Sequence, residues 1–264
     1  MPEKKRAILV VSFGTSHPDT CEKTIELIEN QIRDNYQECP VYRAWTSGRI
    51  RKKIEERDGV HIFSVAEALN YLKDQGIEEV IIQPTHVLNG IENERMEKEI
   101  KAAKKQFQKL AVGAPLLTTQ EDSEKMVDMM IEQWDVKENE MLVFMGHGTE
   151  HHSNFVYAAL NYQFAVKGHK NMVMGTVEGF PTIEDLIEAA KKAKPEKVIL
   201  TPFMIVAGDH AKNDLAGDKE DSWKNMFEKE GFQTECVLKG LGEYEGARRL
   251  LLDHLAEAVA GIDQ

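Results

Sequence analysis

His147 stands between Gly146 and Gly148 at the end of the apolar run 141–145. Glycine on both sides lets the backbone turn sharply and leaves the imidazole free to point into a cleft. A histidine so placed is a metal ligand, a proton acceptor, or an ordinary turn residue hydrogen-bonded to backbone. Glu178 and His210 each follow another apolar run, 172–177 and 197–202. Two imidazoles and a carboxylate form a mixed nitrogen and oxygen set suited to a divalent first-row metal, with positions left open for water or substrate. Their separations are too large for a local motif, and the competing reading is one strand-end histidine and two loop residues solvated separately. Glu92 could move protons, receive a metal on its way in, or only complement the dipole of the helix after it. Asp209 could orient the neighbouring imidazole or be a turn residue, and His86 could be a core histidine bonded to backbone. His151 and His152, adjacent at a helix start, point in different directions and read as helix-entry residues rather than joint ligands of one ion. The stretch Arg49-Ile50-Arg51-Lys52-Lys53, with Arg43 before it, reads as a solvated helix face that in an acidic chain could hold a polyanionic small molecule. Ser12 and Thr15 lie in Ser-Phe-Gly-Thr-Ser without G-x-x-x-x-G-K-[ST] or G-x-G-x-x-G, and no G-x-S-x-G elbow is present, which disfavours a nucleotide cofactor and the usual hydrolase chemistry.

The elements that must position these groups alternate regularly. Residues 6–13 form an apolar run of the kind buried on both faces of a sheet. A loop over 14–19 precedes 20–35, where Ile25, Ile28 and Ile32 recur at helical spacing. The pattern then predicts strands over 41–45, 79–84 and 110–112, with helices over 49–57, 65–75 (closed by Gly76) and 93–108. The second half repeats it, with strands over 141–145, 172–177, 197–202 and 233–238, helices over 155–166, 182–193 and 222–230, and a connector over 121–138. Such alternation gives an α/β fold of two similar lobes, 1–138 and 139–264, each a mainly four-stranded parallel sheet flanked by helices. The halves also match in sequence. Ile-Leu-Val-Val-Ser-Phe-Gly-Thr (8–15) lies over Leu-Val-Phe-Met-Gly-His-Gly-Thr (142–149), and 80–90 over 198–208, as an internal duplication would produce. Two duplicated lobes are expected to face a shared cleft with their strand ends. In the alignment His147 replaces Phe13, His210 falls opposite Glu92, and Glu178 opposite Thr46. Differences at equivalent loop positions mark where function is grafted on a common frame, and they put the metal set in the second lobe.

A length of 264 residues suits one large domain or two smaller ones, and 42% hydrophobic with 30% charged residues is the composition of a soluble globular protein. The formal net charge of -12 argues against nucleic acid or an anionic membrane as partner. Cys21, Cys39 and Cys236 show no C-x-x-C spacing, so neither a disulfide framework nor a thiolate zinc site is expected. The opening Met-Pro-Glu-Lys-Lys-Arg leads into an apolar run too brief for a signal-peptide core, and no run approaches the roughly 20 residues of a membrane span. A cytoplasmic location is the expectation; oligomeric state is not legible.

Longer motifs carry a resemblance. Val-Val-Ser-Phe-Gly-Thr-Ser (10–16), Arg-Ala-Trp-Thr-Ser-Gly (43–48), Asn-Gly-x-Glu (89–92), Phe-Met-Gly-His-Gly (144–148), Val-Ala-Gly-Asp-His-Ala-x-Asn-Asp (206–214) and Gly-Asp-x-x-Asp-Ser-Trp-Lys (217–224) resemble those of the sirohydrochlorin cobaltochelatases of the anaerobic cobalamin pathway, a family of class II chelatases. The similarity covers almost the whole chain. It implies a two-lobed chelatase-like fold and a lyase that inserts Co2+, as substrate metal, into the small-molecule tetrapyrrole sirohydrochlorin without ATP. The family's metal-binding His, Glu and His carry over onto His147, Glu178 and His210, the Glu178 match being the shortest, and its cleft glutamate onto Glu92. Contacts to the macrocycle and its peripheral carboxylates are expected from Ser12, Phe13, Arg43, Arg49 and Arg51. Insertion of Fe2+ or Ni2+ and a non-catalytic metal or tetrapyrrole carrier are the other readings that these residues allow.

Overall fold

Short apolar runs and longer amphipathic stretches alternate along the chain, and each takes the element that its pattern favours. The computed structural model describes residues 5–263, so Met1 to Lys4 of the charged opening stretch, and Gln264, lie outside the described residues. Two compact units are present: one runs to Thr118 and resumes at Gly242, and the other spans Thr119–Leu241.

The first unit contains β1 (Arg6–Ser12), α1 (Pro18–Lys23), α2 (Ile25–Asn35), β2 (Val41–Trp45), α3 (Gly48–Asp58), α4 (Val65–Asp74), β3 (Glu79–Pro84), α5 (Ile91–Ala103) and β4 (Lys109–Val112). Its sheet is parallel, in the order β2-β1-β3-β4. On one face Ala7, Leu9 and Val11 pack with Leu69 and Leu72 of α4 and with Met96 and Ile100 of α5. Ile8 and Val10 on the other face are also fully buried, which is why β1 reads as a continuous apolar run instead of an alternating one. The single helix expected over 20–35 is two helices. Pro18 opens the first early, and the Thr24 hydroxyl donates to the Thr20 carbonyl at the break.

The second unit contains α6 (Gln120–Gln133), β5 (Glu140–Gly146), α7 (Phe155–Val166), β6 (Met172–Thr176), α8 (Ile183–Ala193), β7 (Lys197–Pro202), α9 (Trp223–Lys229) and β8 (Gln233–Cys236). Its parallel order, β6-β5-β7-β8, repeats that of the first sheet. Met141, Val143 and Met145 bury against Leu186 and Ile187 of α8 and Trp223 and Phe227 of α9. On the opposite face Phe144 stacks on Phe164 of α7 at 5.6 Å.

The chain ends in α10 (Glu245–Asp263), which packs against β3, β4 and α2 of the first unit. The expected division at 138/139 is therefore not the observed one: α6 packs on α7 within the second unit, and the last helix returns to the first. Among the described residues no helix is long and apolar enough to cross a membrane.

An ion pair ties β2 to α2. The carboxylate of Glu29 is fully buried and accepts from Nε and Nη2 of Arg43 at 2.7 Å each, with Arg33 adding a contact at 3.1 Å. Removing one member of such a pair strands a buried charge, at a cost of about 3–5 kcal/mol. Arg43→Ala is accordingly expected to lower the unfolding free energy by about 3 kcal/mol in urea denaturation; an unchanged midpoint would show that Glu29 does not depend on it.

Candidate metal centre

The donor groups of His147, Glu178 and His210 all lie within 4.8 Å of one another, on the second unit. The two imidazoles meet edge to face with centroids 4.8 Å apart, and His147 Nδ1 is 3.9 Å from Glu178 Oε2. An ion bound at about 2.0–2.2 Å spans donors up to about 4.4 Å apart, so a small side-chain adjustment closes this set on one ion. All three side chains are partly exposed, which leaves room for a further ligand on the ion.

The backbone explains the convergence. The β5–β6 ladder continues past both strand ends: Val177 N–H donates to the Gly146 carbonyl at 3.1 Å, and Glu178 N–H donates to the His147 carbonyl at 2.8 Å. That pairing sets Glu178 beside His147. It also requires the two loops to touch, and Gly148 makes this possible. Its φ is +82°, and a Cβ there would lie 2.7 Å from Gly179 N and 2.9 Å from the Glu178 carbonyl carbon. Gly146 is needed for another reason, because a Cβ there would fall 2.4 Å from the ring of Tyr157. Burial pushes the Tyr157 phenol up to about 12, against backbone hydrogen bonds from Gly148 and His147. Asn154 fastens the same loops together: its Oδ1 accepts from Thr149 N–H at 3.0 Å, and its Nδ2 donates to the Phe180 carbonyl at 2.7 Å.

Each histidine is oriented through Nδ1. In His147 this atom lies 2.9 Å from the Gly148 carbonyl, which can only accept, so Nδ1 carries the proton and Nε2 is left to ligate. His210 opens a π-helical turn, His210–Leu215, beyond β7, and its Nδ1 meets Asp214 Oδ2 at 2.5 Å. Asp214, four residues on, thus takes the orienting place that the sequence offered to Asp209; Asp209 is the N-cap of the turn.

The remaining candidates divide. Glu92 lies in the first turn of α5, about one-third exposed, and accepts from Arg95 Nη1 at 2.7 Å. His86 is buried, but its Nδ1 meets the Asn93 side chain at 3.3 Å rather than backbone, and burial holds its pKa below the ordinary value. His151 Nδ1 accepts from Ser153 N–H at 3.2 Å at the start of a short 3-10 turn, as a helix-entry residue does. Ser12 is buried and bonded to the Thr85 hydroxyl at 2.9 Å, whereas Phe13 is exposed. Arg43 is committed to Glu29, and Arg51 donates to Glu67 at 3.2 Å. Arg49 is exposed and makes no ion pair among the described residues. Sequence reasoning missed Asn154, Tyr157 and Asp214. Asp214 alone had a visible signal, being the fourth residue after a candidate ligand.

The duplication extends to backbone detail. Gly14, the counterpart of Gly148, also has positive φ, +99°, and Ser47 N–H donates to the Phe13 carbonyl as Glu178 does to that of His147. Ser12 pairs with Trp45 as Gly146 pairs with Thr176, so Glu178 corresponds to Ser47, one residue beyond the Thr46 expected from the alignment.

Comparison with known proteins gives concordant results. A family model described as cobalt chelatase (CbiK) matches residues 6–260. The chain is 38% identical over 256 residues to a protein of Salmonella typhimurium named sirohydrochlorin cobaltochelatase, covering 97% of both. It is 30% identical over 271 residues to the sirohydrochlorin cobaltochelatase CbiKC of Nitratidesulfovibrio vulgaris, covering 100% of this chain and 94% of the relative. Among solved structures, SirB from Bacillus subtilis with Fe3+ has the same fold at a TM-score of 0.67 and 12% identity, covering 98% of this chain and 97% of that one.

Asp214→Ala is expected to weaken the binding of Co2+ roughly ten- to hundredfold in isothermal titration calorimetry while leaving the melting temperature unchanged. Wild-type affinity in that variant would mean that His210 does not need Asp214 for its orientation.

Proposed function

The chain belongs to the cobalt chelatase (CbiK) family, and from that premise we propose that its reaction, the insertion of Co2+ into sirohydrochlorin, runs at His147, Glu178 and His210. The observation that carries the site is the convergence of three donors from three strand-end segments to within 4.8 Å of one another. Co2+ is a substrate here, so its site has to release it as well as bind it. Two imidazoles and one carboxylate meet that requirement better than four thiolates would, because they leave coordination positions open and give moderate affinity.

The insertion replaces the protein donors and water by four ring nitrogens and releases two pyrrole protons. While the ion is held, the imidazole Nε2 atoms donate their lone pairs to it. As the ion passes to the macrocycle those lone pairs are freed, and each imidazole becomes a base at the moment a proton has to be taken up. Asp214 and the Gly148 carbonyl hold the opposite ring nitrogens and keep the ligating atoms in place through the exchange. Glu92 is proposed as a further proton acceptor, on the strength of the Asn-Gly-x-Glu match, and Phe13 and Arg49 as contacts to the macrocycle and its peripheral carboxylates. No step of this chemistry calls for a nucleotide.

The test is a spectrophotometric insertion assay with sirohydrochlorin, run in parallel with Co2+, Fe2+ and Ni2+. His147→Ala and His210→Ala are each expected to lower the Co2+ insertion rate at least roughly tenfold, equivalent to about 1.4 kcal/mol in barrier, with Co2+ affinity falling as well. Glu92→Gln is expected to lower the rate at unchanged Co2+ affinity, which separates proton transfer from metal binding. Wild-type rates in both histidine variants would remove the triad from the mechanism.

A further inference from the structure

The helix α7 breaks the pattern of the rest of the surface. In a chain with 30% charged residues, the stretch 154–166 contains none. Phe144 and Phe164 hold one side of the helix against the sheet, but the opposite side is not polar. Phe155 is 74% exposed, Tyr162 73% and Val166 65%, and Phe180 in the neighbouring loop is 55% exposed. These are the most exposed large apolar side chains among the described residues. Phe155, Ala159, Tyr162 and Val166 follow one another at spacings of four, three and four, which is the seam of one helix packing along another. Scattered single apolar residues on a surface need no partner, but a contiguous stripe rimmed by polar groups marks an interaction site.

We infer that this stripe is the self-association surface of the protein, on which α7 of a second copy packs antiparallel about a twofold axis near Ala159 and Tyr162. Three observations select that occupant. The first is charge. Exposed Glu150 precedes the helix and exposed Lys170 follows it, so antiparallel pairing brings opposite charges together at both ends, and parallel pairing would bring like charges together. The second is area. At roughly 200 Å² for a whole aromatic side chain, the exposed parts of Phe155, Tyr162 and Phe180 amount to about 400 Å², and Val166 with the two alanines brings one copy to about 500 Å². Two copies then bury about 1,000 Å² when the whole stripe is covered, which reaches the floor that a biological interface has to clear. The third is shape. Beside the stripe lies an open groove of about 330 Å³, lined by Asn161, Ala165, Phe180, Pro181 and Leu186. A ridge and a groove side by side on one face can each receive the other from a copy related by a twofold axis. Ala158 and Ala159, midway along the helix, allow the two backbones to approach closely.

Sedimentation velocity at about 10 μM tests this. The wild type is expected at twice the 30.0 kDa chain mass or a multiple of it, and Tyr162→Asp and Val166→Lys are each expected at half the wild-type mass. Far-UV circular dichroism of both variants is expected to match the wild type. If Tyr162→Asp does not fold, Val166→Lys, at the last turn of the helix, carries the test alone. A wild type that sediments as a single chain up to about 100 μM, or a folded variant that keeps the wild-type mass, overturns the inference. So does pelleting of single chains with phosphatidylcholine vesicles that Val166→Lys abolishes, because the stripe would then serve a lipid surface.

Discussion

The absence of a single carbon atom, the Cβ of residue 148, governs the arrangement of the candidate metal centre. Gly148 turns through positive φ against the backbone of Glu178 and Gly179, at a distance that no side chain would allow. Because the two loops touch, the β5–β6 ladder can add two more hydrogen bonds beyond the strands. Those bonds set the Glu178 carboxylate 3.9 Å from His147 Nδ1, beyond hydrogen-bond distance. The free energy that places this part of the donor set is thus backbone free energy, present before an ion arrives. The side chains themselves remain partly exposed and adjustable, as ligands that must both take up an ion and give it away have to be.

The same backbone device occurs in the other unit, where it holds nothing of the kind. Gly14 has the same left-handed turn, and Ser47 is bonded as Glu178 is, but the positions corresponding to the three donors carry Phe13, Ser47 and Glu92. The two units thus share the turn and the ladder extension and differ in the residues that stand on them, as when a site is grafted on a common frame. That is also why the repeat was informative. A strand register is a periodic object that survives divergence, and it places residues far apart in sequence at equivalent points in space.

Legibility followed the range of the forces involved. Strands buried on both faces, such as β3 and β7, were readable to the residue because a run of apolar side chains bounded by glycine or charge has few alternatives. Helix ends were less so: the break at Thr24 depends on one hydroxyl competing with the backbone, which periodicity does not register. The three candidate donors were legible as a set because each follows a strand. Asp214 was not, because its role depends on the wider turn after His210, and neither were Asn154 and Tyr157, which act from beneath the loops. Arg43 has a partner that its place in the sequence does not reveal. A cation near a strand end reads as a ligand for anions, but its anion is Glu29, fourteen residues earlier and wholly buried. The C-terminal helix was not among the elements expected, although Ala247, Leu250, Leu251, Leu255, Ala258 and Ile262 recur at helical spacing, and only contacts with β3 and β4 show which unit it completes.

That last helix has a consequence for biosynthesis. As the chain leaves the ribosome, the unit with the donor set is finished at Leu241, while the unit that began first still lacks α10. The usual order, in which the N-terminal domain closes first, is inverted. The faces of β3 and β4 that α10 covers stay open through the synthesis of everything between, so the older half of the molecule waits for the younger one before its own core is sealed. A chain cut short before residue 245 would keep all three donors and lose the half that does not contain them.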